Sequence, residues 1–369
     1  IPGAAGMKIQ ELPDSPAVVT PRSLSGGLNG RRRPPVFGAV DLGTNNCRLL
    51  VARPVAGGFR VVDAFSRIVR LGEGLSSSGR LSDAAVDRTI EALKICANRM
   101  RERGVTQMRN VATQACRQAS NCKDFVERVE HETGLRLDII SPAEEARLAA
   151  MGCQALMDRN ARRAIVFDIG GGSTELIWVA INRQGPPRIL GWTSVPYGVV
   201  NLWEMFGSSD ALSRDRYQTM RELVAERLAQ FDRRYNLSAA VQKGGVQMLG
   251  TSGTVTTLTS LYLQLPRYDR SKVDGADVGR EDLRDLCSRL SVMDFNRRAG
   301  LSCIGADRAE LIVAGCAILD AILAIWPVSH VRVADRGIRE GMLMELMNGP
   351  GRIEPRRGGR GNRARDRRD

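Results

Sequence analysis

Histidine is almost missing from this chain: only His131 and His330 occur among 369 residues. That excludes a histidine-rich zinc centre and leaves no basis for a Cys–His nucleophile. The cysteines at 47, 96, 116, 122, 153, 287, 303 and 316 stand singly, without a Cys-x-x-Cys pair, and read as reduced thiols rather than a disulfide framework. No apolar run reaches the roughly 18 residues of a membrane span. The apolar stretch 314–326 contains Asp320 and reads as a core helix. The N-terminal stretch lacks the apolar core of a signal peptide. These features predict a cytoplasmic protein with no membrane partner. A Gly-x4-Gly-Lys-Ser/Thr loop is also missing, which excludes a P-loop nucleotide enzyme.

Positive charge, by contrast, is in excess. The net charge is +13, with eight arginines against three acids in 350–369 and five basic residues against two acids in 1–35. Residues 1–35 read as a disordered basic arm and 349–369 as a disordered Arg/Gly-rich tail. For both, weak nucleic-acid contact competes with the plainer reading of a solvated end. The remaining body keeps a modest positive excess that suits an anionic substrate. Its length and 43% hydrophobic content fit two domains.

The chain is organised around residues 164–176, an apolar run carrying Asp168 and then Gly170, Gly171, Gly172, Ser173, Thr174 and Glu175. A buried strand has no cheap place for a charge unless it meets a cation or a donor, and successive glycines let N–H groups approach an anion. Asp168 is therefore expected to face a metal and the loop a phosphate. A near-copy lies upstream, where Val40-Asp41-Leu42-Gly43-Thr44-Asn45 again gives strand, Asp, Gly and hydroxyl. Each copy is followed by a second apolar run, a turn at 57–58 or 184–186, and a third run. The pattern is a duplicated antiparallel unit with an acidic phosphate loop at its first bend. A dinucleotide fold is disfavoured, because Asp precedes the glycines and a strand follows them.

Between the copies, Ser82 is expected to cap a helix whose apolar positions are Val86, Ile90, Leu93, Ala97 and Met100. A strand at 108–112, a helix at 123–133 opened by Asn121 and Asp124, and a strand at 137–140 complete an α/β half. Ser141-Pro142-Ala143-Glu144-Glu145 then opens a helix over 143–158 joining the halves, with Glu144 placed to close a capping box on Ser141. Glu145 has no such partner, so it is the general-base candidate, against the alternative of a solvated first-turn carboxylate. Arg117 is either a bidentate phosphate ligand or a surface arginine. Glu175 is either near a metal or a strand-edge carboxylate. Ser252 and Gly253, after a strand at 246–249, contact phosphate, cap the following helix, or do both.

These motifs, with Leu71-Gly72-Glu73-Gly74-Leu75, Ala112-Thr113-Gln114-Ala115-Cys116-Arg117, Glu144-Glu145-Ala146-Arg147-Leu148, Gly250-Thr251-Ser252-Gly253-Thr254 and Gly337-Ile338-Arg339-Glu340-Gly341, resemble the exopolyphosphatase/guanosine pentaphosphate phosphohydrolase family over about 36–347. The resemblance implies an α/β fold of two ribonuclease-H-like domains of the actin-like ATPase superfamily, here 36–146 and 147–348, with the active site in the interdomain cleft. It implies Glu145 as catalytic base and Mg2+ at Asp168 and Glu175, and Asp41, the counterpart of Asp168 in the first copy, is the third candidate metal residue. Phosphate is then held by Gly43, Thr44, Asn45, Arg117, the loop 170–174, Ser252 and Gly253. Longer relatives add a His-Asp type helical domain, whose histidines do not follow His330, so the chain resembles the short two-domain form and its processivity is left open. The expected activity is release of orthophosphate from the end of inorganic polyphosphate. The alternative is removal of the 5′ terminal phosphate of guanosine pentaphosphate. A superfamily kinase or chaperone is disfavoured by Glu145 and the lack of a large inserted domain. A homodimer is the candidate assembly.

Overall fold

The computed structural model describes residues 34–182, 185–206 and 213–349. The expected basic arm up to residue 33 and the tail from residue 350, like Gln184 of the second turn, lie outside the described residues.

The first sheet is built from β1 (Phe37–Leu42), β2 (Asn46–Val55), β3 (Gly58–Ile68), β4 (Gln107–Ala112) and β5 (Asp138–Ile139), in the order β3-β2-β1-β4-β5. β1 to β3 form an antiparallel meander, whereas β4 joins β1 and β5 joins β4 in parallel. The second sheet holds β6 (Arg163–Ile169), β7 (Thr174–Ala180), β8 (Arg188–Val195), β9 (Val246–Thr251), β10 (Asp277–Gly279) and β11 (His330–Ala334). Its order is β10-β11-β9-β6-β7-β8. Read from β8 to β11, it repeats the first sheet strand for strand, with the same parallel and antiparallel pairs. The duplication expected from the two acidic loops is thus a duplication of whole sheets. β10 adds one edge strand that three residues could not announce.

Helices cover the sheets because the strands are apolar on both faces, as β6 and β7 show by their nearly continuous burial. The helix Asp83–Glu102 starts at Ser82, whose hydroxyl accepts from the Ala85 N–H, and it buries the predicted stripe against the first sheet. The stretch 314–326 lies in the helix Leu311–Ile325 and its following residue, a core element of the second half. Among the described residues no helix is long and apolar enough to cross a membrane. All eight cysteines are buried free thiols.

Two helices exchange between the halves. Pro142–Cys153 packs against β6, β7 and β8, and the closing helix Ile338–Asn348 packs on β1, β2 and β4. They cross each other at glycine: a Cβ on Gly341 would stand 2.2 Å from the Leu148 carbonyl oxygen. Together they fill a third core between the sheets, with Phe37, Ala39, Val166, Ile177, Ala149 and Met342. The sequence boundary after residue 146 therefore falls inside a helix, and the last helix of the second segment belongs by packing to the first sheet.

Two local expectations are corrected. Asn121 does not cap its helix; its amide bonds the backbone N–H and C=O of Leu81, 40 residues away. Ser141 caps as expected, accepting from the Glu144 N–H, but the Glu144 carboxylate turns to Arg109 and Arg147 instead of closing a capping box. A guanidinium offers a charged donor where the box offers a neutral one. The helix also ends earlier than expected, at Cys153, followed by a short 3-10 turn at Gln154–Leu156.

Candidate active site

The two acidic loops meet in a cleft between the sheets. Each is the same tight bend: Gly43 N–H donates to the Asn46 carbonyl at 2.9 Å, and Gly170 N–H to the Ser173 carbonyl at 2.9 Å. In both, neighbouring segments take the carbonyls. Gly72 N–H bonds Thr44 O and Val69 N–H bonds Asn45 O, while Val199 and Val200 N–H bond Gly170 O and Gly171 O. No acceptor among the described residues faces the N–H groups of Thr44, Asn45, Gly171 or Gly172. That leaves two short arrays of amide donors, the arrangement that binds phosphate oxygens.

The loops also touch. A Cβ on Gly171 would lie 3.0 Å from Thr44 Cβ, and one on Gly172 2.9 Å from Thr44 Oγ1. The glycines are therefore needed for close approach of the halves as well as for exposing N–H groups.

Asp41 and Asp168 end β1 and β6 and line the cleft with Gly43, Thr44, Asn45, Gly170 to Ser173, Ser252, Gly253 and Glu145. Glu145 is 7% exposed. Arg117, expected to reach phosphate, stands behind it: its Nη1 donates to Glu145 Oε2 at 2.8 Å and to Ile140 O at 2.9 Å, and its Nη2 to Gln114 Oε1 at 2.8 Å. Thr174 and Glu175 do not line the cleft either. Thr174 donates to Tyr197 O, and the Glu175 carboxylate accepts from Ser173 and Ser194 hydroxyls at 2.8 Å each. Ser252 caps the helix Gly253–Tyr262, accepting from the Val255 N–H, and does so at φ +143°, backbone space normally left to glycine.

Two charged cleft residues escaped the sequence reading, Arg48 and Arg308. Arg48 lies opposite Asp41 across β1 and β2, as Glu175 lies opposite Asp168 across β6 and β7. Aligning the two copies would have found it, since both partners follow their aspartate by the same interval. Arg308 donates to Thr257 Oγ1 at 3.2 Å. Desolvation, and then the like charge of Arg48, hold its pKa below the ordinary arginine value. Both guanidiniums line the cleft, close enough for Arg48 to act on Arg308 through like charge, and a pair of arginines in one cleft suits an anion.

Four carboxylates share this region, and burial pushes all of them upward. Asp168 is raised to about 7 by burial, with Arg48 opposing and Glu145 and Asp41 adding. Asp41 is raised by burial against the pull of Arg48. Glu145 and Glu175 are raised by burial and by neighbouring carboxylates, Glu175 acting on Glu145 and Asp168 on Glu175; Arg117 opposes both shifts. An uncompensated buried charge costs several kcal/mol, so protons or a cation must balance the group. Among the described residues no three Asp, Glu, Cys or His side chains form a ready metal cage. Mg2+ does not require one, since it binds through one or two carboxylates and completes its shell with water and substrate phosphate. Asp41 and Asp168 meet that need, and Asn45 Oδ1 is a buried acceptor without a donor in the same cleft.

Two ribonuclease-H-like sheets, with phosphate-type loops facing each other across an interdomain cleft, define the actin-like ATPase fold. Within that class the chain belongs to the Ppx/GppA phosphatase family, which matches residues 50–349. It is 30% identical over 321 residues to exopolyphosphatase 2 of Mycobacterium tuberculosis, covering 84% of this chain and 97% of that protein. A crystal structure of the Aquifex aeolicus member of the family is similar with a TM-score of 0.71 and 27% identity, over 85% of this chain and 98% of that one. An exopolyphosphatase-like protein is similar with a TM-score of 0.77 and 26% identity, over 84% and 98%.

Proposed function

We propose that this family member is a Mg2+-dependent exopolyphosphatase that hydrolyses the terminal phosphoanhydride of inorganic polyphosphate. The observation that carries the reading is the convergence of Glu145, two arrays of amide donors and the Arg48/Arg308 pair in one cleft. The N–H groups of both loops hold the terminal phosphates, and Arg48 and Arg308 hold charge further along the chain. Glu145, oriented by Arg117, takes the proton of the attacking water at a carboxylate oxygen. Asp41 and Asp168 would hold Mg2+, which when bound would supply positive charge against that of the substrate. The similarity to a curated exopolyphosphatase supports the same substrate.

One observation favours polyphosphate over guanosine pentaphosphate. Among the described residues lining the cleft the apolar ones are Ile68, Ile169, Val199, Leu311, Ile312 and Ile338, with no aromatic ring on which a guanine would stack. Phosphate release measured side by side on polyphosphate, guanosine pentaphosphate and ATP should be fastest, per active site and at equal terminal-phosphate concentration, on polyphosphate. A higher kcat/KM for guanosine pentaphosphate would replace this reading with the nucleotide one.

A further inference from the structure

Glu144, the neighbour of the proposed base, does not enter the cleft. Its carboxylate accepts from Arg109 Nη2 at 2.9 Å and from Arg147 Nε and Nη2 at 2.6 and 2.8 Å. Glu345, on the closing helix, accepts from the same two arginines, from Arg109 Nη1 at 2.5 Å and from Arg147 Nη2 at 2.6 Å. The four side chains close a ring of alternating charge, with Asp138 at 3.4 Å from Arg109 as an outlying member. Burial works against ionised Glu144, yet the hydrogen bonds and charges of Arg147 and Arg109 hold it below the ordinary glutamate value.

The ring's position gives it a consequence for chemistry. It fastens three elements: β4, which lies beside β1 with Val111 opposite Asp41; the helix Pro142–Cys153, which carries Glu145; and the closing helix Ile338–Asn348. Successive residues of a helix point about 100° apart. Fixing Glu144 on the outer side of the first turn therefore fixes the direction of Glu145, and with it the meeting with Arg117. The Arg109 and Glu144 side chains are only 17% and 24% exposed, so salt screens this contact less than an open surface pair. None of the four ring members lines the cleft, whereas Glu145 does.

We infer that Arg109, Glu144, Arg147 and Glu345 act as a positioning ring for Glu145, with Glu345 joining it from about 200 residues further along the chain. The inference rests on the reading of Glu145 as general base. Glu345 is the member to test, because its side chain is 36% exposed and does not line the cleft. Misplacing a reacting group by about an ångström costs up to about 100-fold in rate. Glu345→Gln should lower kcat on polyphosphate by about tenfold while KM stays within about twofold, and Glu345→Asp should restore most of the loss.

The decisive measurement is a double-mutant cycle. In a Glu145→Gln background, Glu345→Gln should cause no further loss of the residual rate, because the group it positions is gone. An equal loss in both backgrounds, or a loss that tracks the melting temperature, would show that Glu345 only supports the fold and would overturn the ring's role. Unchanged kcat for Glu345→Gln in the parent would overturn it as well. Full turnover by Glu145→Gln alone is a separate result: it removes Glu145 as the base, and the positioning role falls with it.

Discussion

The two hairpins of the cleft share a bend, an aspartate and a sheet position, and differ in the residue opposite that aspartate. Asp41 faces Arg48 across its strands, and Asp168 faces Glu175. The same backbone thus makes a locally neutral half and a doubly acidic half. The first sets a guanidinium opposite its aspartate, whereas the second sets two carboxylates opposite each other. The scaffold is duplicated, and one side chain per copy sets the charge beside the aspartate.

Glu145, the proposed base, belongs to neither hairpin, so its loss should produce the largest effect. Glu145→Gln is expected to lower kcat by about 100- to 10,000-fold with substrate binding nearly intact, because the amide keeps the shape and loses the basicity. Steady-state kinetics together with polyphosphate binding to the variant would check it; turnover within twofold of the parent removes Glu145 from the mechanism.

Removing the asymmetry itself comes next. Arg48→Ala should raise KM for polyphosphate by about 10- to 100-fold, the loss of a charge-assisted contact worth about 1.5–3 kcal/mol, and should flatten the dependence of KM on ionic strength. An unchanged KM would make Arg48 a partner of Asp41 only.

The two aspartates should separate in a magnesium titration. Asp168→Asn should raise the half-saturating Mg2+ concentration by about tenfold and Asp41→Asn by less, because an amide is a poorer ligand for a hard cation and Asp41 already has Arg48 opposite it. Equal shifts would mean that both halves hold the ion alike.

The smallest effect is on stability without metal. Asp168, Glu145 and Glu175 have folded-state pKa values above their ordinary ones. In the metal-free protein the folded form therefore keeps protons that the unfolded form has already released. The stabilisation is full below about pH 4, the ordinary carboxylate range, and is lost as pH rises toward the folded value of about 7 at Asp168. The melting temperature of EDTA-treated protein should fall between pH 5 and pH 8, and added Mg2+ should recover it more at pH 8 than at pH 5. A melting temperature that rises over that interval would contradict the acidic character of the second half.

Much of the fold was legible because the duplicated Asp-x-Gly bends sit on apolar runs long enough to be strands. The place of Glu145 was legible because Ser141 and Pro142 mark a helix start, and the structure sets that first turn at the cleft. What stayed hidden depended on contacts distant in sequence. Arg117 looked free until the fold brought Glu145 to it from 28 residues away. Arg308 became a cleft residue only when the short helix Ala306–Ala309, far along the chain, came to line the same cleft as the first sheet's bend, and Glu144 left its local cap for arginines that no helix pattern displays.

The exchange of helices between the two sheets also fixes an order of events during synthesis. The apolar face made by Phe37 and Ala39 of β1 and Leu50 and Ala52 of β2 is closed partly by Ile338, Met342 and Leu343, about 300 residues further on. Until those residues leave the ribosome, that face of the first sheet has no final cover, and the strand carrying Asp41 is held from one side only. Such long-range closure slows folding and leaves apolar surface open in the meantime. A chain cut anywhere before the closing helix would lose part of the first half's core, even though the cut falls in the second.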